Sequence, residues 1–244
     1  MTGTKGAATI GATRKFVIDP LTRVEGHGKV TLLLDEEGHV EEARLHIVEF
    51  RGFERFVQGR PYWEVPVLVQ RLCGICPVSH HLAAAKAMDR IVGVDRLPPT
   101  AEKVRRLMHY GQMLQSHALH FFHLCSPDLL FGFEAPVEKR SVVAVAQTHP
   151  DLAMTGVAMR RFGQEVIEAT AGKRIHGTGA IPGGVNKAVD TKDRARLLAQ
   201  VDGILDAAKR AVSLARDYTL AHGEDLAHFA DFDSAHLSLV RRDG

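Results

Sequence analysis

Cysteine is scarce in this chain, with three residues among 244, too few for the disulfide framework of a small secreted domain. Long apolar runs are missing as well. No window approaches the roughly 18 uninterrupted apolar residues that a bilayer-spanning helix needs. Charge of one sign never accumulates: 31 basic side chains face 29 acidic ones for a formal +2, which leaves no polybasic arm for nucleic acid or a lipid surface. Residues 1–15 hold glycines, threonines and scattered bases without the apolar core of a secretory signal, and are expected as a flexible leader. The expected compartment is the reducing cytoplasm. There is no Gly-x-Gly-x-x-Gly fingerprint, so a dinucleotide, if the reaction uses one, is expected on another chain.

What is present is an ordinary globular composition, 45% hydrophobic and 25% charged, enough to bury one large or two modest cores. Residues 15–19, 28–34 and 40–50 read as strands, with Asp35, Glu36, Glu37 and Gly38 as the turn between the last two. Ala43, Leu45 and Ile47 alternate with Arg44 and His46, and Val48 and Phe50 suggest a strand that enters the core. Beyond residue 60 the period becomes helical. Helices are predicted over 61–71, 77–92, 101–124, 137–146, 150–171 and 191–221, with Ser126, Pro127 and Asp128 ending the third and Ile181 to Gly184 forming a loop. On the 101–124 helix, Val104, Leu107, Met108, Gly111, Leu114, Ala118 and Phe122 share one face, with Arg105, Arg106, Gln112 and Gln115 elsewhere. The expected class is α+β: a leader over 1–15, a small antiparallel sheet over 16–60, and a helical bundle over 61–244 on which the sheet packs.

Two of the three cysteines sit together in Arg71, Leu72, Cys73, Gly74, Ile75, Cys76, followed by Pro77, Val78, Ser79 and His80. A lone Cys-x-x-Cys in a reducing compartment has three readings: half a zinc site, a redox pair or coincidence. Zinc wants two further ligands at comparable spacing, and neither Cys125 nor the 14 histidines supplies a finger-like set. A redox pair wants a βαβ setting, which is not the pattern around residue 73. Cys76 precedes a helix start, where the positive end of the helix favours thiolate and a soft metal. His80, one turn on, can ligate or bond to a ligand sulfur; without the cysteines it would read as a half-buried polar residue. His117, His120 and His123 drift around their helix and read as packed neutral histidines beside Phe121 and Phe122. Cys125 reads as a small buried apolar side chain.

Three segments, taken together, carry more than the bare motif. Asp19, Pro20, Leu21, Thr22, Arg23, Val24, Glu25, Gly26 and His27, then Arg51, Gly52, Phe53 and Glu54, then Arg71 to His80, stand in an order and spacing that resembles the large subunit of nickel-iron hydrogenases. The resemblance runs from about residue 16 onward and is nearest the cytoplasmic, bidirectional, NAD-reducing type. It implies that Cys73 is a terminal nickel ligand and that Cys76 bridges nickel and iron, roles that suit soft thiolates. It implies a proton-relay role for a partly desolvated Glu25, against a plain salt bridge to Arg23. It places Glu54 near a magnesium ion, against a surface pair with Arg51 or Arg55, and gives Arg71 and His80 supporting roles around the thiolates.

The same resemblance implies reversible heterolytic oxidation of hydrogen at a nickel-iron centre with diatomic ligands on the iron. Electrons would pass through iron-sulfur clusters of a small subunit to a flavin-containing diaphorase and NAD, and maturation proteins would load the metals. Family members carry a second cysteine pair near their C-terminus that completes four thiolates around nickel. This chain has no such pair and is therefore expected to be an N-terminal portion of a longer subunit, inactive by itself. Two other classes compete: a hydrogenase-like structural subunit of a respiratory complex, disfavoured by the retained Cys73 and Cys76, and a non-catalytic fragment that docks the small subunit without a metal centre.

Overall fold

In the computed structural model, residues 9–10, 13–227, 229, 231, 233–238 and 240 are described. Strands β1 (Thr9–Ile10), β2 (Thr13–Ile18), β3 (Gly28–Leu34) and β4 (Val40–Ile47) form one antiparallel sheet in sequential order. The leader expected over 1–15 lies outside the described residues through residue 8, and Thr9–Ile10 and Thr13 onward already pair in the sheet. The β3–β4 turn closes through the Asp35 carboxylate, which accepts from the His39 backbone N–H at 2.7 Å. Gly38 supplies the positive φ, +91°, that this turn requires. Pairing with β3 stops at Gly28 opposite Ile47, so the strand expected to reach residue 50 ends there. Val48 and Phe50 are 53% and 83% exposed, not drawn into the core as expected. With no ladder to direct it inward, the Phe50 ring turns back over Gly52.

Helical structure begins at α1 (Phe53–Phe56) and is then interrupted. The helix predicted over 61–71 is a 3₁₀ turn (Tyr62–Glu64), α2 (Val65–Leu68) and a second 3₁₀ turn (Val69–Leu72). Pro66 sits in the first turn of α2, the place where a missing N–H is tolerated. Helix α3 (Pro77–Ile91) starts at Pro77 for the same reason. Helix α4 (Pro99–Leu119) passes without a break into a π-helical turn (His120–Cys125) and then α5 (Ser126–Phe131). The Ser126-Pro127-Asp128 stop is thus a restart, since Pro127 occupies the first turn of α5. Helix α6 (Val142–Thr148) begins later than predicted because Ser141 caps it, its hydroxyl accepting from the Ala144 N–H. Helix α7 (Pro150–Ala171) ends at Gly172, φ +82°. Strands β5 (Ala180–Ile181) and β6 (Gly184–Val185) make a hairpin where a loop was expected. Helices α8 (Thr191–Ala221), N-capped by the Asp190 carboxylate, and α9 (Gly223–Leu226) follow.

The core lies where α4 crosses α7. Val78, Met108, Ile167 and Ala171 form one cluster; Ala118, Phe122, Met159 and Ala207 form a second that brings in α8. At the crossing the chain uses glycine on both sides. A Cβ on Gly163 would stand 2.6 Å from the Gly111 carbonyl oxygen, and one on Gly111 would stand 2.8 Å from Val166 Cγ1. Above it, the buried Arg105 guanidinium donates to both Asp89 oxygens, at 2.6 and 3.2 Å, and to the carbonyls of Ile181 and Gly184. Asp89 also accepts from the Gly183 N–H at 2.7 Å. The pair therefore fastens the β5–β6 hairpin to α3 and α4, which is why Arg105 is buried although its place on the helical wheel suggested otherwise. Among the described residues, no helix is long and apolar enough to cross a membrane.

Candidate metal centre

The second 3₁₀ turn ends at Leu72, and Cys73 leaves it in extended conformation. Cys76 then serves as the N-cap residue of α3. This tight reversal turns both sulfurs to one side. The Cys76 N–H donates to Cys73 Sγ at 3.0 Å, and His80 Nε2, one helical turn on, lies 3.6 Å from Cys76 Sγ. Ligand atoms of Cys73, Cys76 and His80 lie within 4.8 Å of one another, the sole such group of three or more His, Cys, Asp or Glu among the described residues. Cys73 is buried, Cys76 and His80 half-buried, and all three cysteines are free thiols.

Glu25 reaches this group from the turn between β2 and β3. The Cys73 thiol donates to its Oε1 at 3.4 Å, although Glu25 as a whole is exposed, where partial desolvation was expected. The turn is held by Arg23, which adopts φ +64°, a left-handed conformation unusual for a long side chain. Its guanidinium donates to the Arg140 carbonyl at 2.8 Å and lies 3.5 Å from Asp128. Arg23 is thus committed to Asp128, not to Glu25.

Three residues that the sequence did not mark support the cysteine loop. Gln112 and Gln115 of α4 are buried, and both side-chain amides donate to the Ile75 carbonyl, at 3.0 and 2.7 Å. His176, at φ +55°, accepts from Arg71 Nη1 at 2.9 Å through Nδ1 and donates through Nε2 to the Cys73 carbonyl at 3.4 Å. Arg71 therefore acts on the loop through a histidine 105 residues away. No spacing rule signals such a partner.

The electrostatics at Cys76 pull in two directions. The helix start was expected to favour a Cys76 thiolate, yet its thiol is pushed up to about 12, first by burial, then by its hydrogen bond with Cys73 and the negative charge of Cys73 and Glu25. The Cys76 backbone N–H works in the opposite direction and is outweighed. Two sulfurs with an imidazole are a donor set for a soft or borderline metal. The residues present fit such a group.

Glu54 stands on α1, outside this cluster. Its carboxylate accepts from Arg51 Nε at 3.0 Å and is held below the ordinary glutamate range, first by its own backbone N–H and then by Arg51. His117, His120 and His123 do not converge. His117 bonds to the Met113 carbonyl, and His120 lies 3.4 Å from Cys125 Sγ. Cys125 is half-buried, its thiol raised by burial and then by Asp128.

Comparison with known proteins gives this geometry a family. The family described as nickel-dependent hydrogenase matches residues 51–135, which contain the cysteine loop, and one described as HoxL-like matches residues 15–50. The chain is 48% identical over 242 residues to the NAD-reducing hydrogenase HoxS subunit beta of Cupriavidus necator, covering 95% of this chain and 50% of that protein. The chain carries a nickel-dependent hydrogenase large-subunit domain. Its fold superposes on an NAD+-reducing [NiFe]-hydrogenase in the H2-reduced state with a TM-score of 0.92 and 61% identity, covering 96% of this chain and 52% of the other. A Ni-Fe-Se hydrogenase from D. vulgaris Hildenborough gives a TM-score of 0.75 at 27% identity, covering 87% and 46%. The chain spans about half the length of these relatives.

Proposed function

We propose that this chain is the Cys73/Cys76-bearing portion of the catalytic subunit of an NAD-reducing nickel-iron hydrogenase, working in the cytoplasm on hydrogen and protons. The observation that carries the reading is the convergence of Cys73, Cys76 and His80 within 4.8 Å, with Glu25 Oε1 3.4 Å from the Cys73 sulfur. Cys73 and Cys76 would hold a nickel-iron centre with diatomic ligands on the iron, which would supply the Lewis-acid and redox chemistry for heterolytic cleavage of hydrogen. Glu25, with its Oε1 3.4 Å from the Cys73 sulfur, relays protons between the site and the surface from its exposed turn. His80 bonds to the Cys76 sulfur and holds its orientation. Arg71 keeps the loop in place through His176. Glu54 is the carboxylate for magnesium, a hard ligand for a hard ion. Electrons leave through iron-sulfur clusters of a small subunit to the flavin and NAD of diaphorase subunits, and maturation proteins install the metals.

The test is metal analysis of the chain purified after co-expression with its genomic neighbours. Near-stoichiometric nickel and iron are expected, lost in Cys76→Ser with helical content unchanged. Neither metal on a folded wild-type chain, with maturation proteins active, would leave the docking fragment as the reading.

A further inference from the structure

The peptide unit joining Ile75 to Cys76 lies between the two thiols, and both of its polar ends are engaged. Its carbonyl accepts from Gln115 at 2.7 Å and from Gln112 at 3.0 Å, while its N–H donates to Cys73 Sγ at 3.0 Å. Both glutamines come from α4, which the glycine crossing locks against α7, and they are only 2% and 4% exposed. Burying an amide is costly unless it is bonded, and Gln112 leaves its Oε1 without a partner while committing its NH₂ to Ile75. A helix that needed volume alone here would carry leucine or methionine. Two donors on one carbonyl draw density toward its oxygen and make the N–H of the same peptide a stronger donor, because linked hydrogen bonds polarise one another by about 10–30% per bond. That N–H ends on a sulfur, and hydrogen bonds to a ligand sulfur set its electron donation to a metal.

We infer that Gln112 and Gln115 are positioning residues that set the donor strength of the Cys73 sulfur through the Ile75–Cys76 peptide. The consequence for a metal rests on the hydrogenase reading; the peptide contact does not. Two readouts keep them apart. In the full chain without metal, Gln115→Met and Gln112→Met, which keep side-chain volume and remove the donor, should each speed hydrogen exchange of the Cys76 amide by about tenfold and move its proton resonance upfield. Unchanged exchange and resonance in both variants would overturn the inference. In the metal-loaded complex, both variants should retain nickel, while the infrared bands of the diatomic ligands on iron shift to lower frequency, further in the double variant. A merely structural role would lower nickel content or melting temperature and leave the bands of the loaded fraction in place, and that result would also overturn it. A wild-type complex that binds no nickel would sink the hydrogenase reading while the amide readout still decides the clamp.

Discussion

Replacing Gly163 with alanine sets two physical effects of opposite sign against each other. Alanine is the better helix former by about 1 kcal/mol, so on propensity alone the substitution stabilises α7. Its Cβ, however, would lie 2.6 Å from the Gly111 oxygen and 2.8 Å from the backbone N and Cβ of Gln115. Ordinary contact between carbon atoms begins near about 3.5 Å, so α4 and α7 must part by roughly 0.7 Å or more. The struck atoms belong to or adjoin the backbone and cannot swing aside. Overpacking of this kind costs about 1–3 kcal/mol, and with backbone on the receiving side the upper part of that range applies, leaving a net loss of about 1–2 kcal/mol. At about 2–4 °C per kcal/mol for a chain of this size, thermal unfolding followed by circular dichroism should show a fall of roughly 2–8 °C. Gly203, inside α8, provides the control, since a Cβ there meets nothing within 4 Å. Gly203→Ala should raise the midpoint by a few degrees. A rise in Gly163→Ala matching that of Gly203→Ala would refute the crossing as the origin of the glycine.

Further outcomes follow from buried charge and from pH. Arg105→Met leaves Asp89 buried without its cation and should cost about 3–5 kcal/mol, read as a lowered urea midpoint. In the wild type, burial raises the Asp89 carboxyl and the hydrogen bonds from Arg105 and Gly183 more than offset it, so its folded value is depressed. Its contribution is then full above the unfolded value of about 3.9 and is lost as pH falls through the folded one, and Arg105→Met should flatten that acid limb. His81 is held below its ordinary value, chiefly by burial, while Nδ1 bonds to the Pro66 carbonyl at 2.7 Å and Nε2 accepts from the Ala180 N–H at 3.0 Å. The unfolded chain therefore binds the proton first, and stability should decline as pH drops below about 6.5. A His81→Gln variant with the same slope between pH 7.5 and 5 would show that the decline has another source.

How far the sequence could be read depended on whether a feature was local. The ends of α7 and α8 were legible because Pro150, Gly172 and Asp190 act on their own helix termini. The thiol pair was legible because three residues of spacing settle its convergence whatever surrounds it. Gln112 and Gln115 were placed among the polar positions of α4 because the helical wheel records polarity and not whether a carbonyl from residue 75 waits on that side. His176 was missed for the same reason, its partners being more than 100 residues upstream. The 126–128 segment misled because a proline after a serine signals the first turn of a new helix as readily as the end of the old one. Phe50 was drawn toward the core because alternation says which residues share a face and not whether that face is covered.

The distance in sequence between Cys73 and His176 also sets a clock. Synthesis at about 5–20 residues per second places roughly 5–20 s between the appearance of the first thiol and that of the histidine that closes on its carbonyl, 103 residues later. Throughout that interval the loop lacks one of its supports while both sulfurs are already outside the ribosome, open to adventitious copper or zinc and to oxidants. Closure of the loop on the Cys73 carbonyl therefore waits on chain made well after both thiols.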